Sequence, residues 1–126
     1  LAGIVDFISI HTYPVWEYKH IHDAIAYTQE NYEAVRGLYP EKPIVITEAG
    51  WATNSNGRGI QPEHVNEENQ KTYYEDLMAW SEKNNILSFF FEAFDENWKG
   101  SPDPNEPEKH WGLFYTDRKP KRALKG

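Results

Sequence analysis

The stretch Pro43-Ile44-Val45-Ile46-Thr47-Glu48-Ala49-Gly50-Trp51 decides the fold. Its short, β-branched apolar run reads as a buried strand. A carboxylate, two small residues and an indole follow at once. Two runs of similar character flank it, Ile4-Val5-Asp6-Phe7-Ile8-Ser9-Ile10 and Ile86-Leu87-Ser88-Phe89-Phe90-Phe91. Between the strands lie two helical patterns. Ile21, Ile25, Thr28, Tyr32, Val35 and Leu38 keep to one face, and Tyr73, Leu77 and Trp80 do the same in the second. Pro40 and Pro43 stop the first helix. Asn66 fits an N-cap for the second, and Lys83-Asn84-Asn85 ends it.

The order is strand, helix, strand, helix, strand. Strand starts roughly 40 residues apart suit βα units and predict parallel strands joined by helical crossovers. Two α/β architectures meet this pattern, an open doubly wound sheet and an arc of a (β/α)8 barrel. A whole barrel takes about 250 residues, so this chain would supply about three of eight units. Two loops follow strand ends: Trp51 to Pro62, rich in Gly, Asn and Ser, and Asn97 to His110, acidic and Pro-rich. In either architecture that edge is where sites are built.

Composition narrows the function. The 126 residues carry a net charge of −7, which disfavours a nucleic-acid partner. Arg118, Lys119, Lys121, Arg122 and Lys125 read as a solvated terminal segment. With no cysteine, disulfides and thiolate metal sites are excluded. No run of about 20 apolar residues predicts a membrane span. The chain opens at Leu1 without Met, which suggests an excised or mature segment. Aromatic residues make up 15%, enough for a core and for flat sugar-stacking surfaces.

Each strand ends in polar and aromatic residues that a plain connector does not need. The ends are His11-Thr12-Tyr13-Pro14-Val15-Trp16, Thr47-Glu48-Ala49-Gly50-Trp51, and Glu92-Ala93-Phe94-Asp95-Glu96-Asn97-Trp98-Lys99. They are expected to meet on one rim. Glu48 is the sharpest, because a carboxylate ending a buried strand loses hydration and is kept when it is paired or used. Acetal cleavage needs such a fixed carboxylate beside an aromatic floor. A structural, ion-paired Glu48 fits the same pattern.

Thr47-Glu48-Ala49-Gly50-Trp51 resembles the nucleophile motif of glycoside hydrolase family 17, the β-1,3-glucanase family. Phe94-Asp95-Glu96-Asn97-Trp98-Lys99 resembles its last-strand motif. Glu108-Lys109-His110-Trp111-Gly112-Leu113-Phe114 resembles its downstream segment, and Tyr13-Pro14 its sixth-strand pair. The resemblance runs over essentially the whole chain in matching order. It implies a partial TIM barrel over 1–126, strands six to eight, with Glu48 as the nucleophile of a retaining enzyme. It further implies that Glu96, Lys99 and Glu108 form a supporting charge network that holds Glu48 ionised.

A retaining glycosidase needs a second carboxyl about 5–5.5 Å away as acid and base. In the family this is a Glu on the fourth strand, which this chain lacks. Glu92 is read as a structural carboxylate, neutral or ion-paired, rather than as that acid. The chain alone is therefore expected to be weak or inactive unless other polypeptide supplies strands one to five. Exposed strand edges predict a longer polypeptide, a proteolytic remnant or self-association.

His11, Tyr13, Trp16, Trp51, Asp95, Glu96, Trp98, Lys99 and Glu108 are the expected substrate-binding residues. His20 and His22 are expected to face solvent, and His110 to approach the cleft. Trp80 and Phe89 to Phe91 are expected in the core. No metal or cofactor is expected. The partners expected are a β-glucan and the rest of the barrel or a second chain. The resemblance implies a secreted or periplasmic setting. Three readings compete: a β-1,3-glucan hydrolase fragment, a glucanosyl transferase sharing its covalent intermediate, and a non-catalytic glucan-binding module. An open α/β domain binding a small metabolite is the weaker alternative.

Overall fold

A computed structural model describes residues 1–125. Three parallel strands form one sheet in the order β1 (Ile8–Thr12), β2 (Ile44–Ala49), β3 (Ser88–Phe90). Helix α1 (Ile21–Leu38) joins the first pair and α2 (Glu67–Lys83) the second. Pro40 and Pro43 lie just beyond the end of α1, where the Tyr39 N–H still bonds Val35 O. Asn66 caps α2 by accepting from the Asn69 N–H at 2.7 Å, the geometry its residue type favours.

Strand limits follow the pairing rather than the apolar runs. The first run was expected as a strand from Ile4, but residues 2–4 form a 3-10 turn and β1 starts at Ile8. There Ile8 N first meets Pro43 O, at 2.9 Å, and the ladder with β2 begins. At the other end β2 runs past its apolar core to Ala49, because His11 and Thr12 pair with Glu48 and Ala49.

The ladder contains an irregularity that matters for the chemistry. Ile10 pairs with Ile46, yet His11 pairs with Glu48, so Thr47 is the extra residue on β2. Without it, alternation would put Glu48 on the core face with Ile44 and Ile46. With it, buried Ala49 takes that face and Glu48 is only half-buried. Past the strand, Gly50 is obligatory. A Cβ there would sit 2.0 Å from Phe91 O, where β2 and the end of β3 pass each other.

The core lies between the sheet and α2. Ile46, Ala49, Trp51, Ile60, Tyr73, Leu77 and Trp111 are all essentially solvent-free. Each large side chain among them contributes about 1.5–3 kcal/mol of burial. Thr28 of α1 ties the layers together, sharing hydroxyl hydrogen bonds with Thr12 (3.3 Å) and Tyr73 (2.6 Å).

Several expected core residues lie outside it. Phe89 of β3 is 53% exposed and Leu38 at the end of α1 is 72% exposed. Phe7 and Leu87 are likewise exposed. Except for Leu38, these residues belong to the two outer strands or their approaches, whose far edges no other described strand covers. No described helix is long and apolar enough to cross a membrane.

The basic terminal segment is not simply solvated. Arg118 and Lys119 are exposed, but Lys121 is fully buried. Its ammonium donates to Asp95 Oδ1 and Thr53 Oγ1, both at 2.8 Å. Arg122 pairs with Glu68 at 2.6 Å. The tail therefore docks on α2 and clamps the loops that follow β2 and β3.

Candidate active site

Glu48 closes β2, and the side chains around it come from the end of β1. Tyr13 donates its hydroxyl to Glu48 Oε1, and His11 Nε2 lies 3.3 Å from Oε2. Tyr13 thus fixes one oxygen and His11 approaches the other, while 35% of the Glu48 side chain stays exposed. Burial, then the hydrogen bond to Glu48 and the charges of Glu48, Glu108 and Glu92, push the Tyr13 hydroxyl far above the usual phenol range. It therefore stays a proton donor to Glu48 at every working pH.

An aromatic box fixes Tyr13. Its ring meets Phe91 edge-on at 5.8 Å and Trp111 at 5.2 Å, and Trp111 is itself buried. Gln70 of α2 anchors the backbone below, donating to Trp51 O and Gly112 O at 3.1 and 3.0 Å. The ends of β1, β2 and β3 do meet on one edge, and Tyr13 is where they touch.

The β3 side is built differently. Lys99 lies between two carboxylates, 3.1 Å from Glu92 Oε2 and 2.7 Å from Glu96 Oε2. Burial raises the Glu92 carboxyl above its ordinary value, and the Lys99 hydrogen bond partly offsets this. Burial pulls the Lys99 ammonium down, but its bonds to Glu96 and Glu92 raise it on balance. Of the two structural readings left open for Glu92, neutral or ion-paired, the ion pair with Lys99 is the one present. The expected network of Glu96, Lys99 and Glu108 is rearranged, since Lys99 bridges Glu92 and Glu96 rather than serving Glu48. Glu108 has no ion-pair partner among the described residues.

Two expected sugar contacts are corrected. Trp51 is fully buried and its indole donates to His64 O at 2.9 Å, so it is a floor of the core and not of a cleft. Asp95 is 8% exposed. Its Oδ1 accepts from the Gly112 N–H (2.9 Å) and from Lys121, which leaves it a structural anchor. His110 is occupied within its loop, with Nε2 2.7 Å from Pro104 O. Trp16 is partly buried, over Gly59 and 6.0 Å from Trp111. Trp98 is the exposed one, at 74%. His20 and His22 face solvent, although His20 packs its ring on His64 at 4.6 Å. Among the described residues no cluster of three or more His, Cys, Asp or Glu could hold a metal ion.

Sequence reasoning missed Gln70, Lys121 and Lys109, all buried polar groups on a helix or loop. Only the downstream motif hinted at Lys109. Nothing local distinguishes Lys121 from its exposed neighbours.

Comparison with known proteins places this geometry. A family described as the BtgE/BtgC glycoside hydrolase domain matches residues 1–112. A glucan 1,3-beta-glucosidase of Arthroderma benhamiae is 27% identical over 96% of this chain and 42% of its own length. Among solved structures, an active-site mutant of the Rhizomucor miehei beta-1,3-glucanosyltransferase in complex with laminaritriose superposes with a TM-score of 0.84 at 28% identity, covering 98% of this chain and 44% of that one. An endo-laminarinase from Formosa Hel1_33_131 gives 0.81 at 29% identity, covering 98% and 39%. The chain spans about two fifths of the length of these relatives.

Proposed function

Since the chain belongs to the BtgE/BtgC glycoside hydrolase domain family, of the glycoside hydrolase family 17 type, we propose that it is the nucleophile-bearing arc of a retaining β-1,3-glucan-cleaving barrel. Its strands are the sixth to eighth of the barrel, and residues 1–126 form the C-terminal part of that domain. One observation carries this reading: Glu48 accepts from the Tyr13 hydroxyl at one oxygen and faces His11 at the other, yet keeps a third of its side chain open. The carboxylates at the end of β3 are instead capped by a lysine, as Glu92 is by Lys99.

The chemistry follows from the placement. A Glu48 oxygen attacks the anomeric carbon while the bond to the leaving sugar breaks. The leaving oxygen takes its proton from an acid outside this chain, by resemblance a Glu on the fourth strand. Water, or a second sugar hydroxyl, then displaces Glu48 and returns its proton to that residue. The first acceptor gives hydrolysis and the second glucanosyl transfer. The Rhizomucor relative, named for transfer, keeps the second outcome in view. Tyr13 stays protonated and holds the attacking carboxylate in place. A secreted or periplasmic setting suits a polysaccharide substrate.

The test is Glu48→Ala in the polypeptide that carries this chain with the rest of the barrel. Laminarin turnover falls by at least about 10³-fold. Azide restores it, giving a glycosyl azide of inverted anomeric configuration. Retention of activity within tenfold overturns the assignment. Laminarin bound but not turned over by the unaltered barrel favours the binding-module reading.

A further inference from the structure

Lys109 is buried, at 7% exposure, yet no carboxylate lies within ion-pair distance of it among the described residues. Its ammonium donates to Asn97 O at 3.1 Å and to Lys99 O. Those two carbonyls flank Trp98. Burying an ammonium is costly, and two backbone carbonyls are a modest return unless the turn they fix has a use. The same turn is held again by the Lys99 N–H, which donates to Glu96 O at 3.2 Å, and only glycine fits at Gly100, whose φ is +71° and where a Cβ would come within 2.5 Å of Glu106 Cγ. The outcome is a rigid turn that presents an indole to solvent. An exposed Trp on a floppy loop would be unremarkable, but one on a doubly pinned turn is preorganised for contact.

Trp98 does not stand alone. It borders a groove of about 430 Å³, within the ~300–1,000 Å³ range of small-ligand sites. Phe94 forms a second apolar wall, with the Arg118 guanidinium 3.8 Å above its ring. Glu96 and Asn97 supply polar groups along the rim. The pattern of a flat aromatic face with hydrogen-bonding groups at its edge matches a pyranose ring, whose faces carry C–H groups and whose equator carries hydroxyls. Glu96 also bonds Lys99, and Lys99 Nζ lies 5.8 Å from the Trp98 ring. The groove therefore adjoins the β3 side of the cleft without touching Glu48.

We propose that the groove beside Trp98 is a glucosyl-binding subsite for a ring beyond the one being cleaved, with Lys109 as the positioning residue that holds it. This rests on the glucan-cleaving reading. It assigns the β3 loop a role in choosing chain length rather than in bond breaking.

The test uses the barrel-containing polypeptide with Glu48→Gln to block turnover. Binding of laminaribiose through laminarihexaose is measured calorimetrically. Affinity should rise stepwise with length, and Trp98→Ala should remove one step, about 3- to 10-fold, on the longer oligomers. Trp98→Tyr should keep most of that step. Lys109→Met should lose it although the indole is present. A length dependence untouched by Trp98→Ala overturns the subsite, and so does an equal loss at every length. If the rest of the barrel covers Trp98, Trp98→Ala lowers the melting temperature and leaves the step intact, which also overturns it. Absence of binding at every length, with no laminarin turnover by the unaltered enzyme, overturns the glucan reading itself.

Discussion

The ends of β2 and β3 both carry buried or half-buried carboxylates, and they hold them in opposite ways. Glu48 is held by the neutral Tyr13 hydroxyl and by a ring nitrogen of His11. Glu92 and Glu96 share the Lys99 ammonium, and Asp95 is held by the fully buried Lys121. A carboxylate neutralised by a lysine has lost much of its nucleophilic charge to the partner. One held by a neutral donor keeps its charge and gains orientation. At the strand ends this difference is what supports the proposal that Glu48 reacts while Glu92 and Asp95 serve as scaffolding, although the two motifs look equally acidic in sequence.

The comparison breaks most visibly at Lys121. Lys121→Met leaves Asp95 buried without its cation and should destabilise the fold by about 3–5 kcal/mol, read as a shift in the urea midpoint near neutral pH. The double variant Asp95→Asn with Lys121→Met removes both charges and should recover most of the loss. If the single variant costs under about 1 kcal/mol, the β3 side does not depend on charge pairing. On the other side the expected effect is on rate. Tyr13→Phe keeps the edge contacts with Phe91 and Trp111 but removes the donor to Glu48. A hydrogen bond to a charged group contributes about 1.5–3 kcal/mol, so kcat should fall about 10- to 100-fold with little change in melting temperature. An unchanged kcat would mean that Glu48 is oriented by His11 alone.

Much of this contrast was legible in the residues. The βαβαβ order, the helix that stops before Pro40, the Asn66 cap and the clustering at strand ends all follow from local rules, and the parallel sheet bears them out. The two small residues after Glu48 were legible too, and at the second, Gly50, a Cβ would meet Phe91 O. What could not be read is pairing across distance. The extra residue at Thr47, which turns Glu48 off the core face, depends on β1 and leaves no mark in β2. Trp51 looked like a cleft aromatic because it follows Glu48, but the same alternation that frees the carboxylate drives the indole into the core. Lys121 looked solvated because charge runs usually are, and its burial depends on Asp95, 26 residues earlier.

Glu67 sharpens the comparison from outside the cleft. Like Glu48 it is held by neutral donors, here the Tyr115 hydroxyl and the Arg122 N–H. Burial raises its carboxyl, but those two bonds, with the charges of Lys121 and Lys125, bring it below its ordinary value. In return the hydrogen bond to Glu67, then burial and the Glu67 charge, push Tyr115 up to about 12. A depressed carboxyl stabilises the fold above its unfolded pKa, about 4.3, and that contribution disappears as pH falls through the lower folded value. Tyr115→Phe removes one lowering bond, so Glu67 should titrate closer to its ordinary value. The acid-unfolding midpoint should then move upward by a fraction of a pH unit, the smallest of these effects because the pair is exposed. NMR titration of the Glu67 carboxyl reads it directly. If the carboxyl does not move, neutral donors are too weak to set a carboxylate in this fold, and the orientation of Glu48 must come from His11 and from the strand itself.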